Sequence, residues 1–145
     1  MQEIKLVTKK DLDALIEIEE SRFKDTSYSK DDYISYLDSP NYVTYVLKED
    51  EVVKAFVLLS RAYDECEIYH VAVSEKEEGK GKGFTLLNEV FKILSKEGIK
   101  RVFLEVRNHN ERAKNLYLKL GFVTYLERKN YYSNGDDALC MKKEF

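Results

Sequence analysis

Two strand–helix units, one directly after the other, constrain the fold of this chain more than any other feature. The segment Leu104 to Phe122 (LEVRNHNERAKNLYLKLGF) contains most of a buried strand over Val102–Val106, then a polar turn, then a helix that starts at Asn110 and stops at Gly121. The preceding unit has a strand over Glu67–Val73, a glycine-rich turn, and a helix over Phe84–Leu94 that Gly98 ends. A strand–helix–strand connection is normally a right-handed crossover, so this part of the chain predicts parallel strands.

The remaining elements are predicted from periodicity and turn signals. They are a strand over Ile4–Val7, an amphipathic helix over Lys10–Phe23, a second helix that Ser29 caps and Pro40 ends, a hairpin of Tyr42–Leu47 and Val52–Leu59, and strands near Phe122–Leu126 and Ala138–Lys142. Consecutive strands favour antiparallel pairing. The predicted fold class is therefore α/β (α+β), a mixed and mostly antiparallel sheet of about six or seven strands with helices on both faces.

Composition limits the class of protein. The 145 residues fit one globular domain over 1–145, and a net charge of −3 argues against a broad nucleic-acid-binding face. No apolar run has the length of a signal peptide or a membrane span. Cys66 and Cys140 are far apart and lack metal-ligand spacing, so we expect reduced core thiols, no metal and a cytoplasmic protein. The sequence gives no oligomeric state.

The turn of the first strand–helix unit, Glu77-Glu78-Gly79-Lys80-Gly81-Lys82-Gly83-Phe84, is rich in glycine. Glycine lets backbone N–H groups approach a ligand closely, and the helix that follows adds positive potential at its N-terminus. These properties suit a pyrophosphate. The spacing matches neither a dinucleotide fingerprint nor a Walker loop. A flexible turn whose glycines only relieve backbone strain is the structural alternative.

The order of elements, the glycine turn and the second unit together resemble the GCN5-related N-acetyltransferase (GNAT) family. Glu78 to Gly83 occupies that family's pyrophosphate motif with both motif glycines, although Glu78 stands where a neutral or cationic residue is usual. We expect Glu78 to point to solvent, with Lys80 and Lys82 offsetting its charge. The C-terminal segments LEVRNHN, LYLKLGF and RKNYY are similar to the RimI subfamily, whose members acetylate the N-terminal alanine of a small-subunit ribosomal protein.

The resemblance implies a role for individual residues. Glu105 corresponds to the proton acceptor and Tyr117 to the proton donor. The acetyl-CoA co-substrate would be held by Val71 and Val73 on a strand edge, by Gly79, Lys80, Gly81, Lys82, Gly83 and Phe84 in the turn, and by Asn110. The partner would be a protein or peptide N-terminus. We expect no direct binding of this chain to nucleic acid or to a membrane.

Acyl transfer to an amine supports these roles independently. An α-amine titrates near 8, so its deprotonation at pH 7 costs about 1 kcal/mol, against about 4.6 kcal/mol for a lysine. A carboxylate such as Glu105 is an adequate base for it, directly or through water. Strand-edge N–H groups near Val71 and Val73 would stabilise the oxyanion that forms on attack. The thiolate that leaves has a thiol pKa near 8.5, and Tyr117 would donate a proton to it.

Several alternatives remain open. Glu105 could instead be a solvated carboxylate at a strand end, and Tyr117 a core residue of its helix. His70 could be a general base or a packing residue, and strand alternation favours packing. Glu67 shares the strand parity of Tyr69 and Val71 and is a second candidate for the base. Tyr131 and Tyr132 either clamp a peptide or stabilise a surface hairpin. The alternative functions are acetylation of a small amine or a lysine side chain, and a CoA-binding module without turnover.

Overall fold

The computed structural model describes residues 1–145. Its regular elements are β1 (Gln2–Leu6), α1 (Leu12–Phe23), α2 (Lys30–Asp38), β2 (Tyr42–Glu49), β3 (Val52–Ala62), β4 (Glu65–Val73), α3 (Lys82–Lys96), β5 (Arg101–Arg107), α4 (Glu111–Lys119), β6 (Val123–Arg128) and β7 (Ala138–Glu144). Every helix and strand that the sequence predicts is present. No helix combines the length and the apolar character that crossing a bilayer requires.

The seven strands form one mixed sheet in the order β1-β2-β3-β4-β5-β7-β6. The pairs from β1 to β4 are antiparallel, and β4 and β5 are the parallel pair that the α3 crossover joins. Strand β7 inserts between β5 and β6 and is antiparallel to both. The predicted fold class is therefore confirmed, and β5 and β6 run in the same direction without pairing with each other.

Local sequence signals fix the ends of the helices. At the start of α2, Ser29 Oγ accepts a hydrogen bond from the Asp32 N–H at 3.1 Å, and the Asp32 carboxylate accepts one from the Ser29 N–H at 2.8 Å. This reciprocal pair is a capping box. After α3, Gly98 takes a left-handed conformation with φ of +94°, which a side chain would disfavour.

Two hydrophobic clusters cover the two faces of the sheet. The larger has 20 buried residues and joins α3 and α4 to the sheet; the smaller has 10 and joins α1 and α2 to β2, β3 and β4. Neither α1 nor α2 contributes to a cluster over β5, β7 and β6. The face of the sheet that α1 and α2 cover is consequently open beside β5.

Strand β4 contains a bulge that reverses its alternation. His70 pairs with Leu58 and Ile68 pairs with Leu59, so Tyr69 between them has no partner of its own on β3. One extra residue shifts every later side chain to the opposite face. As a result Ile68 and Val71 both pack against the larger cluster although they differ in parity.

The contact between β4 and β5, which we call the seam, is short. Only three residue pairs join the strands, and the last is Glu67 with Phe103. Beyond that pair β4 continues to Val73 and β5 to Arg107 without pairing. Backbone N–H and C=O groups on this part of the β4 edge are therefore free of a strand partner on the β5 side.

Two buried carboxylates hold the α1 region in place. Asp11, 4% exposed, accepts a hydrogen bond at 2.9 Å from Lys48, which is 2% exposed. Glu19 is fully buried and accepts hydrogen bonds from Tyr33 Oη at 2.6 Å and the Tyr28 N–H at 3.2 Å, and it contacts His70 Nδ1 at 2.8 Å. Glu19 thereby links α1, α2, the segment between them and β4.

Candidate active site

A cleft of about 950 Å³ lies between the β4 edge, the glycine-rich turn and α4. We call it the large cleft. The residues that the sequence predicted for cofactor binding all line it, and so does Tyr117; they are Val71, Val73, Gly79, Lys80, Gly81, Lys82, Gly83, Phe84 and Asn110. The structure therefore brings together residues from β4, the turn, α3 and α4 that are up to 46 positions apart in the chain.

The glycine turn presents backbone N–H groups to the large cleft. Gly79 and Gly81 have φ of +75° and +76°, a left-handed conformation that glycine adopts without strain. Helix α3 begins at Lys82, two residues before the predicted start, and its first hydrogen bond runs from the Thr85 N–H to the Gly81 carbonyl at 3.0 Å. The N–H groups of the first helical turn before Thr85 consequently have no helical acceptor, which is the arrangement that binds anions.

Gly83 lies in close packing, and its backbone conformation is not the left-handed one of Gly79 and Gly81. A Cβ at this position would lie 3.4 Å from Leu116 Cδ2 and 3.6 Å from Val73 Cγ2. The turn thus sits directly against β4 and α4, and a larger side chain would widen the floor of the cleft.

The large cleft is electropositive. Its lining includes five cationic and two acidic side chains, in a chain whose net charge is −3. Glu77 lies 3.6 Å from Lys54 and from Lys80, and 3.5 Å from Lys82. Although burial raises the pKa of Glu77, these three ammonium groups outweigh that effect and lower it. Lys82 also pairs with Glu49 on β2, so its amine is held between two carboxylates.

The expectation that Glu78 is exposed is confirmed, but the expectation for its partners is wrong. Its carboxylate does not depend on Lys80 and Lys82, which pair with Glu77, but forms ion pairs with Arg22 of α1 and, at 3.5 Å, with Arg112 of α4. The Arg22 hydrogen bond and charge lower the pKa of Glu78, and Arg112 adds to this effect, so the carboxylate is ionised at neutral pH. All three side chains line the large cleft.

Tyr117 lies at the inner wall of the large cleft. Its ring packs on Phe122 with centroids 5.6 Å apart, and the residue is 6% exposed. Burial alone raises the pKa of Tyr117, and its hydroxyl has no hydrogen-bond partner within the protein. The hydroxyl is therefore protonated at neutral pH and free to donate to a group in the cleft.

Asn110 is the N-cap of α4. Its Oδ1 accepts a hydrogen bond from the Ala113 N–H at 3.1 Å, which fixes the amide and leaves its nitrogen as a donor for a ligand.

Glu105 lies elsewhere, in a cavity of about 280 Å³ on the open face of the sheet that we call the Glu105 cavity. Leu104 and Val106 point into the larger cluster, and alternation turns the Glu105 side chain to the opposite face. Glu65, Glu67, Tyr125 and Arg128 line the same cavity. Three carboxylates, of Glu65, Glu67 and Glu105, thus line this small cavity. The sheet lies between it and the large cleft.

The predicted grouping of Glu67 with Tyr69 and Val71 is wrong for Val71. Alternation without a bulge would place the three on one face, but the extra residue at Tyr69 turns Val71 to the opposite face, while Tyr69 stays within hydrogen-bonding reach of Glu67. Glu67 lines the Glu105 cavity, whereas Val71 lines the large cleft. Glu67 and Glu105 are consequently neighbours on the same face.

Tyr131 and Tyr132 lie beside the Glu105 cavity without being part of its lining. Their rings pack edge to face with centroids 5.3 Å apart, Arg107 stacks over Tyr132 at 3.9 Å, and Arg128 lies 5.4 Å from the Tyr131 ring. Burial, followed by the negative charge of Glu105, raises the pKa of Tyr132. The tyrosine pair is therefore within electrostatic reach of Glu105.

His70 has a packing environment, as alternation suggested. Its ring stacks between Phe23 and Tyr28, with centroids 3.7 Å and 4.5 Å away, and its Nδ1 contacts Glu19. His109 lies in the exposed turn before α4.

Sequence reasoning missed Arg22 and Arg112, two of the five cations in the large cleft. Arg22 Nε donates to the Val73 carbonyl at 2.9 Å, so it is fixed at the end of β4 although it lies 51 residues earlier. No local pattern marks such a residue, since an arginine in the last turn of a helix is ordinary.

A mixed seven-stranded sheet, a glycine turn at a helix N-terminus, and a seam that opens between two cavities define an acyltransferase of the GNAT class. The sequence matches the acetyltransferase (GNAT) family over residues 12–122, and the chain belongs to that family. It is accordingly an N-acetyltransferase, as the resemblance predicted.

Several proteins of known name are similar to this chain over most of its length. The [ribosomal protein bS18]-alanine N-acetyltransferase of Escherichia coli strain K12 is 33% identical over 103 residues, which cover 69% of this chain and 70% of that protein. A Bacillus subtilis strain 168 protein, provisionally named for the same activity, is 32% identical over 133 residues, covering 90% and 87%. The crystal structure of the Escherichia coli enzyme aligns with a TM-score of 0.89 at 29% identity, over 99% of this chain and 94% of that one.

Proposed function

We propose that this protein transfers the acetyl group of acetyl-CoA to the α-amine of a protein N-terminus, and that the acceptor is the N-terminal alanine of ribosomal protein bS18. The observation that carries the proposal is the position of Glu105 and Tyr117 on opposite faces of the sheet, beside the open part of the seam. An amine and a thioester would then approach one another from opposite sides. The named activity of the relatives supports the choice of acceptor.

The large cleft suits acetyl-CoA on three grounds. Its volume is within the range of cofactor sites, its lining is rich in cations, and its glycine turn offers unpaired N–H groups to a pyrophosphate. The free edge of β4 at Val71 and Val73 would bond the pantetheine amides as an added strand does. Gly79, Lys80, Gly81, Lys82, Gly83 and Phe84 would hold the phosphates, Lys82 through its backbone since its amine is paired.

The Glu105 cavity suits an ammonium group. Glu65 is already paired with Arg101. However, Glu67 and Glu105 outnumber the one cation of the lining, Arg128, and would attract the positive end of a peptide. The small volume of the cavity favours a small first side chain such as alanine.

Glu105 is more exposed than Glu65 and Glu67 and lies beside the unpaired part of the seam. It would accept a proton from the ammonium group, and the amine then becomes nucleophilic. Tyr131 and Tyr132 would border the path of the following residues.

The transfer itself needs a donor at each developing charge. Free β4 N–H groups would stabilise the oxyanion formed when the amine attacks the thioester carbonyl. The Tyr117 hydroxyl would donate its proton to the leaving sulfur. Because a buried phenol holds its proton tightly, this donation is most favourable as a hydrogen bond that strengthens while the carbon–sulfur bond breaks.

A thiol-release assay tests the proposal. The protein is incubated with acetyl-CoA and one of three basic peptides: one that begins with alanine, the same peptide with a blocked N-terminus, and one with a free lysine but no free α-amine. We expect free thiol only with the first, and mass spectrometry should place the acetyl group on the α-amine. Equal release with the blocked peptide would replace the N-terminal acceptor by a lysine, and release with none would favour a CoA-binding module.

A further inference from the structure

Glu78 and its two arginines form a bridge across the mouth of the large cleft. Arg22 comes from the last turn of α1, Glu78 from the turn before α3, and Arg112 from the first turn of α4. Their side chains are 26%, 38% and 66% exposed, so water and ions reach all three. The bridge is an accessible charge cluster on the cleft lining and not a buried structural salt bridge.

The arrangement places a negative charge where a phosphate site would not be expected to have one. The turn around Glu78 otherwise offers unpaired N–H groups and cations, which bind anions. Glu78 is ionised because the guanidinium groups lower its pKa, so it competes with any incoming anion for them. A carboxylate and a phosphate oxygen pair are alternative partners for the same guanidinium fork.

Arg22 is preorganised for such an exchange. Its Nε is fixed by the Val73 carbonyl at 2.9 Å, and its terminal nitrogen Nη2 contacts Glu78. Arg112 approaches the other carboxylate oxygen at 3.5 Å. If Glu78 rotates away, both guanidinium groups remain at the cleft without a protein anion on these nitrogens.

We propose that Arg22 and Arg112 are phosphate ligands of the cofactor, and that Glu78 is the internal anion that occupies them in the ligand-free protein. The proposal rests on acetyl-CoA being the donor. It assigns binding residues outside the glycine turn, on α1 and α4, and it explains how an acidic residue is accommodated in the turn: the carboxylate is exchanged for phosphate and does not repel it.

Calorimetric titration of the purified protein with CoA tests the exchange without any turnover. Glu78→Gln removes the competing charge while keeping the shape, so we expect CoA to bind about 3- to 10-fold more tightly, with a steeper salt dependence. Glu75→Gln is the matched control, because Glu75 bonds Ser21 at 2.6 Å and does not line the cleft. The control removes the same charge nearby and should change affinity less than 2-fold.

The arginines are tested in both backgrounds. Arg22→Gln and Arg112→Gln should each weaken CoA binding, and each should cost more affinity in the Glu78→Gln protein, where the guanidinium groups are no longer shared. Dephospho-CoA, which lacks the 3′-phosphate, separates two sources of the phosphate. An arginine that binds the pyrophosphate keeps its effect with this ligand, and one that binds the 3′-phosphate loses it.

Two outcomes would overturn the proposal. One is equal or weaker CoA binding by Glu78→Gln in a protein whose thermal unfolding is unchanged. Glu78 would then only link α1 to α4, and acetyl-CoA would remain the donor. Failure of the unsubstituted protein to bind CoA at all would remove the donor assignment, and this inference with it. Arg112 is mostly exposed, so Arg112→Gln remains an interpretable variant even if Arg22→Gln folds poorly.

Discussion

Glu105 and Tyr117 lie on opposite faces of one sheet, although a single strand–turn–helix unit carries both. Glu105 shares the Glu105 cavity with Glu67, and Tyr117 lines the large cleft beside Val71 and Val73. The seam between β4 and β5 is unpaired beyond Glu67, so the two sides can communicate there. This separation keeps a proton acceptor for one reactant apart from a proton donor for the other.

Glu105→Gln should slow acetyl transfer to an alanine-initiated peptide by about 10²- to 10³-fold at pH 7, because the amide cannot accept a proton from the amine. The deficit should shrink as pH rises above about 8, where the α-amine is already neutral. A profile of kcat/KM against pH measures both effects. Glu67→Gln is the control on the same cavity, and a larger loss in that variant would transfer the role of base to Glu67.

Tyr117→Phe should lower kcat by about 10- to 100-fold and leave CoA affinity and thermal stability unchanged, since the hydroxyl bonds no protein group. Tyr33→Phe provides the opposite case. It removes a 2.6 Å hydrogen bond to fully buried Glu19 and should lower the free energy of unfolding by about 1–3 kcal/mol. Single-turnover kinetics with calorimetry separate the two, and unchanged kcat in Tyr117→Phe would refute the assigned role.

Gly81→Ala should cost about 1 kcal/mol of stability, because its φ of +76° is left-handed, and should also weaken CoA binding by distorting the turn. Gly135→Ala is a matched control with φ of +91° and equally open surroundings, in the loop between β6 and β7. Both variants should show similar losses in denaturant unfolding. Weaker CoA binding only in Gly81→Ala would tie the turn to the cofactor; equal binding in both would contradict this.

Asp11→Asn tests the buried pair with Lys48. Burial raises the pKa of Asp11, but hydrogen bonds from Lys48 and Thr8 outweigh it, so the folded pKa lies below the unfolded value. The resulting stability is present above about pH 4 and is lost as pH falls through the folded pKa. The variant should be about 3 kcal/mol less stable at pH 7 and show a flatter pH dependence below pH 4.

Exposed Asp13, which pairs with Lys30 at 2.8 Å, supplies the comparison for that experiment. Asp13→Asn should change stability by less than about 1 kcal/mol, because exposed ion pairs contribute little. Urea unfolding at several pH values measures both variants. Equal losses would show that burial of Asp11 has no energetic consequence.

Periodicity and turn residues predicted the order of elements because those signals are local. Ser29 caps α2 through its own neighbour Asp32, and Gly98 ends α3 by its own backbone conformation. The glycine turn was likewise recognisable from its residues, and all the predicted cofactor residues line one cleft. The insertion of β7 between β5 and β6 has no such signal, since it depends on pairing across the chain.

The wrong parts of two expectations, the partners of Glu78 and the face of Val71, share a physical cause. The bulge at Tyr69 depends on how β4 registers with β3, and no glycine or proline marks it in the sequence. The partners of Glu78 come from α1 and α4, whereas the sequence around Glu78 contains only Lys80 and Lys82 as nearby cations. Both errors arise where tertiary contact overrides a pattern of adjacent residues.

The short seam also has a mechanical meaning. Three residue pairs join β4 to β5, whereas each other pair of neighbouring strands shares at least five, so the sheet consists of two blocks with a weak line between them. A ligand lodged along that line would couple the blocks. Slower amide hydrogen exchange would then extend through strands far from the bound molecule, and the two halves would open as one cooperative unit.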